Sequence, residues 1–387
     1  MKIIRVLHII KTLNLGGAET NLFNLVNAIH KDKFECHVAY SYGGAIEKRF
    51  QAREGLKLFK YAKGDHKIKS LASVGIITRL VKYILKHKID IVHTHTFNAH
   101  IWGLFAAKIT GKKIVEHVHD FRYLEPEDFS KRRGISRQYK YVKYLANKSD
   151  AVIVLTTQNK DFLIEKNLYP SQLIKKIPNG MPVDSEAHIV EQMNNDTLLA
   201  KLKLNKGQKI ILTPARIASE KNIDLILSIA LDVIKQDDKA VFLICGDGPL
   251  LEQFITQIKA LRLESKIRFI GFYPKIEELL TISEVFLLPS FLELHSIAIL
   301  EALMMKVPVV VSTGVGCNDE FIDNWQNGVL LDPFSEVGWA EAIVKLLKDE
   351  QLRKGIGENG YRTCCDKFDV NKTARDLEDI YVQLAAQ

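Results

Sequence analysis

The segment MKIIRVLHIIKTLNLGGAETNLFNLVNAIH, residues 1–30, decides the fold. Its apolar run at residues 3–10 predicts a buried strand, and the apolar spacing of residues 19–29 predicts a helix soon after it. We do not interpret the run as a signal peptide, because Arg5, His8 and Lys11 interrupt it. A strand that passes through a tight turn into a helix is the first part of a βαβ unit.

The same alternation continues along the chain and predicts two doubly wound parallel sheets of an α/β protein. A further helix is predicted at residues 73–86. The other strands of the first half are predicted at residues 35–39, 91–95, 113–117 and 151–156. Those of the second half are predicted at residues 209–213, 240–245, 267–270, 285–288 and 307–312.

The length of 387 residues favours two domains, since one hydrophobic core seldom supports so long a chain. The turn Asn179-Gly180-Met181-Pro182 and the polar stretch at 184–205 indicate the boundary. We therefore expect a first domain at 1–187 and a second at 188–366. Residues 367–387 have one apolar face and predict a terminal helix.

Charge is divided unevenly between the halves. Residues 1–180 hold 32 Lys and Arg against 15 Asp and Glu, a net charge of +17, and the remainder carries −9, which gives the total of +8. No apolar stretch approaches the roughly 20 residues that span a bilayer. The 5 cysteines include no CxxC pair, which is typical of a reducing compartment. We expect a cytoplasmic protein with buried thiols.

The turn Leu15-Gly16-Gly17-Ala18-Glu19-Thr20 opens a helix N-terminus, where backbone N–H groups can face an anion. Gly16 and Gly17 suit the approach of a phosphate. A tight strand-to-helix turn without a ligand explains the same residues equally well, because the motif is not GxGxxG.

Histidines follow two predicted strands of the first half, at the sheet edge where open α/β sheets bind ligands. We favour His119, together with Asp120, as functional over a purely structural histidine. A metal site is not favoured, since no cysteine or carboxylate pattern completes one. The other histidines of the group are His93, His95 and His117.

Two cations in PARIASEKN, Arg216 and Lys221, follow a strand of the second half and make a candidate diphosphate clamp. Glu293 precedes a helical run and Glu301 lies two turns inside it, so the two carboxylates can reach different parts of one ligand. Carboxylates accept hydrogen bonds from vicinal hydroxyls, as at a ribose. The simpler alternative is that these cations and carboxylates are exposed surface charges. The turn at Gly246 follows another strand of the second half and is in large part structural.

These residues together resemble the retaining glycosyltransferases of glycosyltransferase family 4, which have the GT-B architecture. The resemblance spans nearly the whole chain and depends on the order and spacing of its motifs. They are GGAE at 16–19, HTH at 93–95, HVHD at 117–120, IPNGMPVD at 177–184, R-x4-K at 216–221, CGDGPL at 245–250, FIG at 269–271 and E-x7-E at 293–301.

The resemblance implies two Rossmann-like domains that face each other across a cleft, with a C-terminal helix that crosses back to the first domain. It implies a nucleotide-sugar donor, with a UDP-sugar favoured, and a carbohydrate or polyprenyl-linked acceptor in surface polysaccharide or glycoconjugate biosynthesis. No bound metal or other cofactor is expected, because basic residues and helix dipoles would neutralise the leaving diphosphate. Same-face displacement without a covalent nucleophile is the expected route to retention.

The resemblance also implies a role for each candidate residue. His119 and Glu293 are the expected catalytic residues, the first at the donor sugar or the leaving charge and the second at sugar hydroxyls. The ribose is expected at Glu301. The donor-binding set as a whole is Gly16, Gly17, Arg216, Lys221, Gly246, Gly271, Phe272, Ser296 and Glu301.

The motif around the first glutamate departs from the family pattern. Leu294 stands where the family usually has a small residue, and Cys317 stands where a second glycine is common after Gly316. A bulky Leu294 is expected to crowd the donor's β-phosphate or sugar. The alternative function is therefore a non-catalytic sugar-nucleotide-binding or scaffold protein of the same fold.

Two basic segments with apolar or aromatic residues, 66–88 and 131–148, suit an anionic membrane surface. Solvated helix faces explain them equally well. We expect peripheral binding to the cytoplasmic face of the inner membrane. Nucleic-acid binding is not expected, because no recognised motif accompanies the charge, and the missing GxGxxG argues against an NAD-dependent dehydrogenase.

Overall fold

The computed structural model describes residues 3–14, 16–64, 72–119, 145, 147–183 and 195–387. The described chain forms two compact units. The first unit contains residues 1–180 and 370–387, and the second contains residues 181–369. The predicted boundary between 187 and 188 lies outside the described residues.

The first unit contains a seven-stranded parallel sheet in the order β3-β2-β1-β4-β5-β6-β7. Its strands are β1 Ile4–Ile9, β2 Phe34–Tyr40, β3 Lys57–Lys60, β4 Ile91–His95, β5 Lys113–Val118, β6 Ala151–Val154 and β7 Ile174–Lys176. Its described helices are Gly17–Ala28, Glu47–Ala52, Ala72–Lys86, Phe97–Thr110, Thr157–Glu165 and Val370–Ala385. Apolar clusters cover both faces of this sheet.

The second unit contains a six-stranded parallel sheet in the order β10-β9-β8-β11-β12-β13. Its strands are β8 Lys209–Pro214, β9 Ala240–Cys245, β10 Ile267–Phe269, β11 Val285–Leu288, β12 Val309–Ser312 and β13 Val329–Leu331. Its longer helices are Asn195–Lys201, Ile223–Gln236, Leu251–Ala260, Ile297–Met304, Trp339–Lys348 and Glu350–Phe368. The shorter ones are Ile276–Leu280 and Asn318–Phe321.

The strand order confirms the predicted α/β fold with two doubly wound sheets. In each sheet the order reverses once, between β1 and β4 and between β8 and β11. Ligands of open α/β sheets bind outside the carboxyl ends of the strands at such a reversal. The fold therefore points to the loops after these four strands.

The C-terminal helix Val370–Ala385 packs on the first unit, where its apolar residues join the cluster over β1 and β2. It begins later than residue 367, because Asp369 leaves the helical conformation and Phe368 ends the preceding helix. The Phe368 carbonyl accepts a hydrogen bond of 2.7 Å from Met181 N–H. Within the described residues, no helix combines the length and apolarity needed to cross a membrane.

Candidate active site

The loops after β8 and β11 bring Lys221 and Glu293 together. Lys221 ends the short 3₁₀ turn Ser219–Lys221, and its Nζ donates to Glu293 Oε1. Ser290 Oγ donates to the same carboxylate oxygen at 2.8 Å. Both partners of the ion pair are largely buried. Two residues predicted from distant motifs thus form one polar cluster at the strand-order reversal of the second sheet.

Arg216, the other cation of the predicted clamp, lies on the surface of the same loop. Its side chain is 68% exposed, and Nη1 lies 3.8 Å from Glu220 Oε1. An exposed ion pair at this distance restrains the guanidinium weakly. Arg216 can therefore reorient toward an anion at little cost.

Gly246 and Gly271 form a backbone junction next to this loop. Gly246 N–H donates to the Gly271 carbonyl at 2.9 Å, and both residues have positive φ. A Cβ at Gly246 would collide with the Ala215 carbonyl, so a glycine is required there. Phe272 follows and is 52% exposed, which makes it an apolar surface beside the junction.

Ser296 and Glu301 belong to the helix Ile297–Met304. Ser296 is the N-cap residue, and its side chain makes no capping hydrogen bond. Glu301 is half-buried. Burial, and then the nearby Glu301 charge, raise the pKa of the Cys245 thiol to about 12. This electrostatic effect locates the Glu301 carboxylate near the end of β9.

The departure from the family motif is accommodated by close backbone packing. Leu294 is buried, and its carbonyl accepts from Cys317 N–H at 3.1 Å and lies 3.4 Å from Cys317 Sγ. Gly316 has φ +62°, and a Cβ there would collide with the Leu294 carbonyl. Cys317 has φ −113°, a conformation open to any residue, so no second glycine is needed.

In the first unit, Gly16 is the N-cap of the helix Gly17–Ala28, in extended conformation. A Cβ at Gly16 would lie 2.6 Å from Glu19 Oε2, so the carboxyl group reaches back over the first turn. Burial raises the pKa of Glu19 to about 7, with its own backbone hydrogen bond as a smaller opposing effect. Leu15 of the motif lies outside the described residues.

His119 ends a row of three histidines at the strand-order reversal of the first sheet. His95 Nδ1 lies 3.0 Å from His119 Nε2, and His95 Nε2 lies 3.1 Å from His8 Nδ1. Parallel register produces this arrangement, since His8 pairs with His93 and His95 pairs with His117. Asp120, the predicted companion of His119, lies outside the described residues.

Two further histidines pack against these rings. His117 stacks on His119 with centroids 4.0 Å apart, and His93 stacks on His95 at 4.4 Å. His93 Nδ1 lies 2.5 Å from the Tyr381 hydroxyl of the C-terminal helix. Burial holds the pKa of His93, His95 and His117 well below the usual value, and the neighbouring rings add a smaller effect in the same direction.

Ring nitrogens of His8, His93 and His95 lie within 4.8 Å of one another, as do those of His95, His117 and His119. Tetrahedral zinc with Zn–N bonds of about 2.1 Å separates its ligand nitrogens by about 3.4 Å. The distances of 3.0 and 3.1 Å are shorter and fit direct N–H···N hydrogen bonds. The geometry therefore favours a hydrogen-bonded row.

Three residues of these clusters were not predicted as site residues. Ser290 follows β11 and has no distinctive motif. Tyr381 comes from the far end of the chain, so only the tertiary fold reveals it. His8 could have been found, because a lone histidine inside an apolar strand at a strand-order reversal is unusual.

Two family models match nearly all of the chain. "Glycosyltransferase Family 4" matches residues 15–185, and "Glycosyl transferases group 1" matches residues 194–363. The first match ends at 185 and the second begins at 194, a few residues after the boundary between the units at 180 and 181. The two models thus correspond to the two sheets.

Curated relatives are similar over most of their length. One relative is the UDP-Gal:alpha-D-GlcNAc-diphosphoundecaprenol alpha-1,3-galactosyltransferase of Escherichia coli. It is 27% identical to this chain, over 82% of this chain's length and 80% of the relative's length. Another is the GalNAc-alpha-(1->4)-GalNAc-alpha-(1->3)-diNAcBac-PP-undecaprenol alpha-1,4-N-acetyl-D-galactosaminyltransferase of Campylobacter jejuni. It is 25% identical, over 92% of this chain's length and 93% of the relative's length.

A solved structure of Anabaena Alr3699/HepE in complex with UDP and glucose has a TM-score of 0.80 at 21% identity, over 97% of this chain and 99% of that one. At this identity the likeness concerns the fold, which is that of the GT-B glycosyltransferases. Matching models over both halves and similar relatives along the chain agree with the family that the sequence motifs indicated. The chain belongs to the family 4, or group 1, glycosyltransferases and is a glycosyltransferase enzyme of the EC 2.4 class.

Proposed function

We propose that this enzyme is a retaining glycosyltransferase that moves a sugar from a UDP-sugar to a lipid-linked acceptor in surface polysaccharide or glycoconjugate biosynthesis. The observation that carries the proposal is the buried cluster of Lys221, Glu293 and Ser290 at the strand-order reversal of the second sheet. The two relatives named above act, by their names, on diphosphoundecaprenol-linked sugars, and one uses UDP-Gal.

In this proposal Lys221 and Arg216 neutralise the diphosphate. Lys221 is held by Glu293, whereas Arg216 is exposed and can close on the ligand. Arg grips phosphate oxygens with two N–H groups and Lys acts as a point charge. Positive charge placed where the leaving group develops negative charge lowers the barrier, and we propose that no bound metal is required.

The remaining donor contacts follow from the junction and the helix beside the cluster. The Gly246 and Gly271 backbone and exposed Phe272 suit a nucleobase, and Glu301 suits the ribose hydroxyls. Ser296 N-caps the helix Ile297–Met304, so nearby N–H groups suit a phosphate. In the first unit, Gly16 and Gly17 open the helix Gly17–Ala28 in the same way, and His119 is proposed as the catalytic residue at the sugar.

Calorimetric titration with UDP, GDP, ADP and their sugars tests the donor proposal. We expect selective binding of uridine compounds, with affinity lost in Lys221→Ala by about 10–100-fold. Lys235→Ala is the matched control, because Lys235 also pairs with a carboxylate in the second unit but lies in an exposed i,i+3 pair. Equal affinity in both variants would remove Lys221 from the site.

Transfer is tested separately, with a polyprenyl-diphosphate sugar as acceptor. An α-configured product from an α-linked donor, seen by NMR, would support retention, and inversion would contradict it. Unchanged turnover in EDTA is expected. Donor binding without transfer to any acceptor would favour the non-catalytic alternative.

Membrane docking through the first unit is the second part of the proposal. The helices Ala72–Lys86 and Phe97–Thr110 pack together, linked by a Trp102–Ser73 hydrogen bond. They expose large apolar side chains beside Lys82, Lys86 and Lys108. These apolar side chains are Val74, Leu85, Phe105 and Ile109. Residues 66–71 and most of 131–148 of the predicted basic segments lie outside the described residues.

Sedimentation with vesicles containing anionic lipid tests the docking. We expect binding at low salt that falls with ionic strength, and loss of binding in the Phe105→Ser, Ile109→Ser double variant. Val382→Ser is the control, since Val382 is a similarly exposed apolar residue on the C-terminal helix. No binding of the unmodified enzyme at low salt would contradict the docking.

A further inference from the structure

The row of His8, His95 and His119, here named the histidine row, connects the sheet interior to the end of β5. His8 lies in β1, His95 ends β4, and His119 directly follows β5. The two nitrogen pairs are separated by 3.1 and 3.0 Å. His8 and His95 are fully buried, so water does not compete for these contacts.

The inner two rings of the row are neutral. Burial lowers the pKa of His8 to about 3 and holds the pKa of His95 well below its usual value. A neutral imidazole carries one N–H and one lone pair. Each nitrogen pair of the row therefore shares one proton, and the position of that proton on one ring determines its position on the next.

Two proton arrangements satisfy both contacts. In the first, His8 Nδ1 donates to His95 Nε2, and His95 Nδ1 donates to His119 Nε2. In the second, every bond is reversed, and His8 Nε2 becomes an N–H donor. That nitrogen is buried and has no hydrogen-bond partner among the described residues. Buried N–H groups without an acceptor are rarer than under-used acceptors, which favours the first arrangement.

We propose that the histidine row fixes His119 as the Nδ1–H tautomer, with His95 as the positioning residue that holds it there. The inference rests on the proposed role of His119 at the donor sugar. With Nε2 accepting from His95, the role of Nδ1 is that of a proton donor. His119 then stabilises an oxygen that gains negative charge and does not serve as the general base of the reaction.

Nitrogen-15 NMR of the full chain with labelled histidines tests the tautomer directly. Protonated and bare ring nitrogens have well-separated shifts, and single His→Asn variants assign the rings. We expect a bare Nε2 and a protonated Nδ1 at His119 and at His95. An Nε2–H tautomer at His119, or rapid exchange between both forms, would overturn the proposal.

Three variants separate positioning from simple packing. His95→Leu removes the donor, and we expect kcat to fall about 10–100-fold with little change in the donor KM. His95→Asn places an amide nitrogen near the position of Nδ1, and we expect it to recover most of kcat and the wild-type His119 shifts. His37→Leu is the control, since His37 is also a buried histidine of the first sheet but its ring nitrogens contact Tyr83 and Glu35, outside the row. Its kcat and its His119 tautomer should remain unchanged.

The NMR result does not depend on turnover. A fixed Nδ1–H tautomer in an enzyme that transfers no sugar would count against the proposed function only. An active enzyme in which His95→Leu leaves the His119 shifts unchanged would count against the histidine row only. One equivalent of zinc retained by the purified protein, or bound when zinc alone is added, would also overturn the row, because ligand nitrogens carry no proton.

Discussion

At the residue scale, Gly314 and Gly316 form a matched pair. Both have φ in the left-handed region, +67° and +62°. A Cβ at Gly314 meets nothing within 4 Å, whereas at Gly316 it would collide with the Leu294 and Glu293 carbonyls. A comparison of the two positions therefore distinguishes backbone strain from steric collision beside the cluster of Lys221, Glu293 and Ser290.

We expect Gly314→Ala to cost about 1 kcal/mol of unfolding free energy, from the left-handed conformation alone. Gly316→Ala should cost more and should also weaken donor binding, because it displaces the backbone that holds Glu293. Urea denaturation and donor titration of both variants measure these effects. Equal stability and equal affinity in the two variants would show that the Gly316 contact does not matter.

Glu301 supports a second prediction at this scale. If its carboxylate binds the ribose, Glu301→Ala weakens donor binding by about 1.5–3 kcal/mol, because the hydroxyls lose a charged acceptor. Calorimetry with UDP and with UMP measures the loss for both ligands, since both contain ribose. Glu336→Ala, a change to an exposed glutamate bonded to Ser228, is the control. Unchanged affinity in Glu301→Ala would exclude the role.

At the scale of elements, strand β5 has a different polar network on each face. His117 faces the histidines, while the neighbouring Glu116 lies on the other face and is fully buried. Tyr169 Oη donates to Glu116 Oε2 at 2.6 Å, and Ser149 Oγ donates at 3.3 Å. Alternation of side chains along a strand allows one element to serve the site and anchor the sheet.

We expect Tyr169→Phe to lower the unfolding free energy by about 1–3 kcal/mol, because a buried carboxyl group loses a short hydrogen bond. Tyr61→Phe is the control, since its hydroxyl donates to the neutral Ile10 carbonyl at 3.1 Å, and we expect about 1 kcal/mol there. Urea denaturation measures both. A smaller loss in Tyr169→Phe than in Tyr61→Phe would contradict the argument.

The elements that sequence predicts and those it misses differ in burial. The ten predicted strands are present with ends within two residues, since buried central strands leave long apolar runs. The strand β3 was missed because Lys57 and Lys60 flank only two apolar residues at the sheet edge. Strands β7 and β13, of three residues each, are also short edge strands.

Candidate site residues could be predicted where a local sequence motif marks them, and not where only the tertiary fold brings them together. Lys221 and Glu293 were predicted from local motifs, and the structure brings them into contact. The contacts of His8 and Tyr381 depend on strand register and on the return of the chain, which no local pattern encodes. The predicted roles at the donor remain predictions, because they concern a ligand.

At the scale of the whole molecule, the two units differ in their histidines. Ten of the 12 histidines lie in the first unit. Among the described ones, five buried histidines have pKa values that burial lowers, and the pKa of half-buried His87 is lowered as well. Their usual pKa is about 6.5, so below that pH the unfolded first unit binds protons that the folded unit excludes. The described residues of the second unit include few histidines, so proton binding by histidines affects its stability little.

The first unit should therefore lose stability first on acidification. Between about pH 6.5 and 5, each excluded proton lowers its unfolding free energy by about 1.4 kcal/mol per pH unit. Glu19 offsets the effect of one of these five buried histidines. Its pKa is raised to about 7, so in this pH range the folded unit binds a proton that the unfolded chain does not. Hydrogen exchange resolved by segment at pH 7 and at pH 5.5 measures the loss separately in β1, β4 and β5 and in β8, β9 and β11.

His117→Phe provides the decisive comparison for this linkage. It removes one buried ring that stays neutral in the folded unit. The slope of the first unit's unfolding free energy against pH should therefore lose the contribution of one proton, about 1.4 kcal/mol per pH unit. Stability above pH 7 should not fall, because no described hydrogen bond is lost. Equal acid sensitivity of both units, or an unchanged slope in His117→Phe, would show that the buried histidines do not control acid stability. The predicted slopes would show that the buried histidines packed around the proposed catalytic His119 are also the acid-sensitive part of the fold.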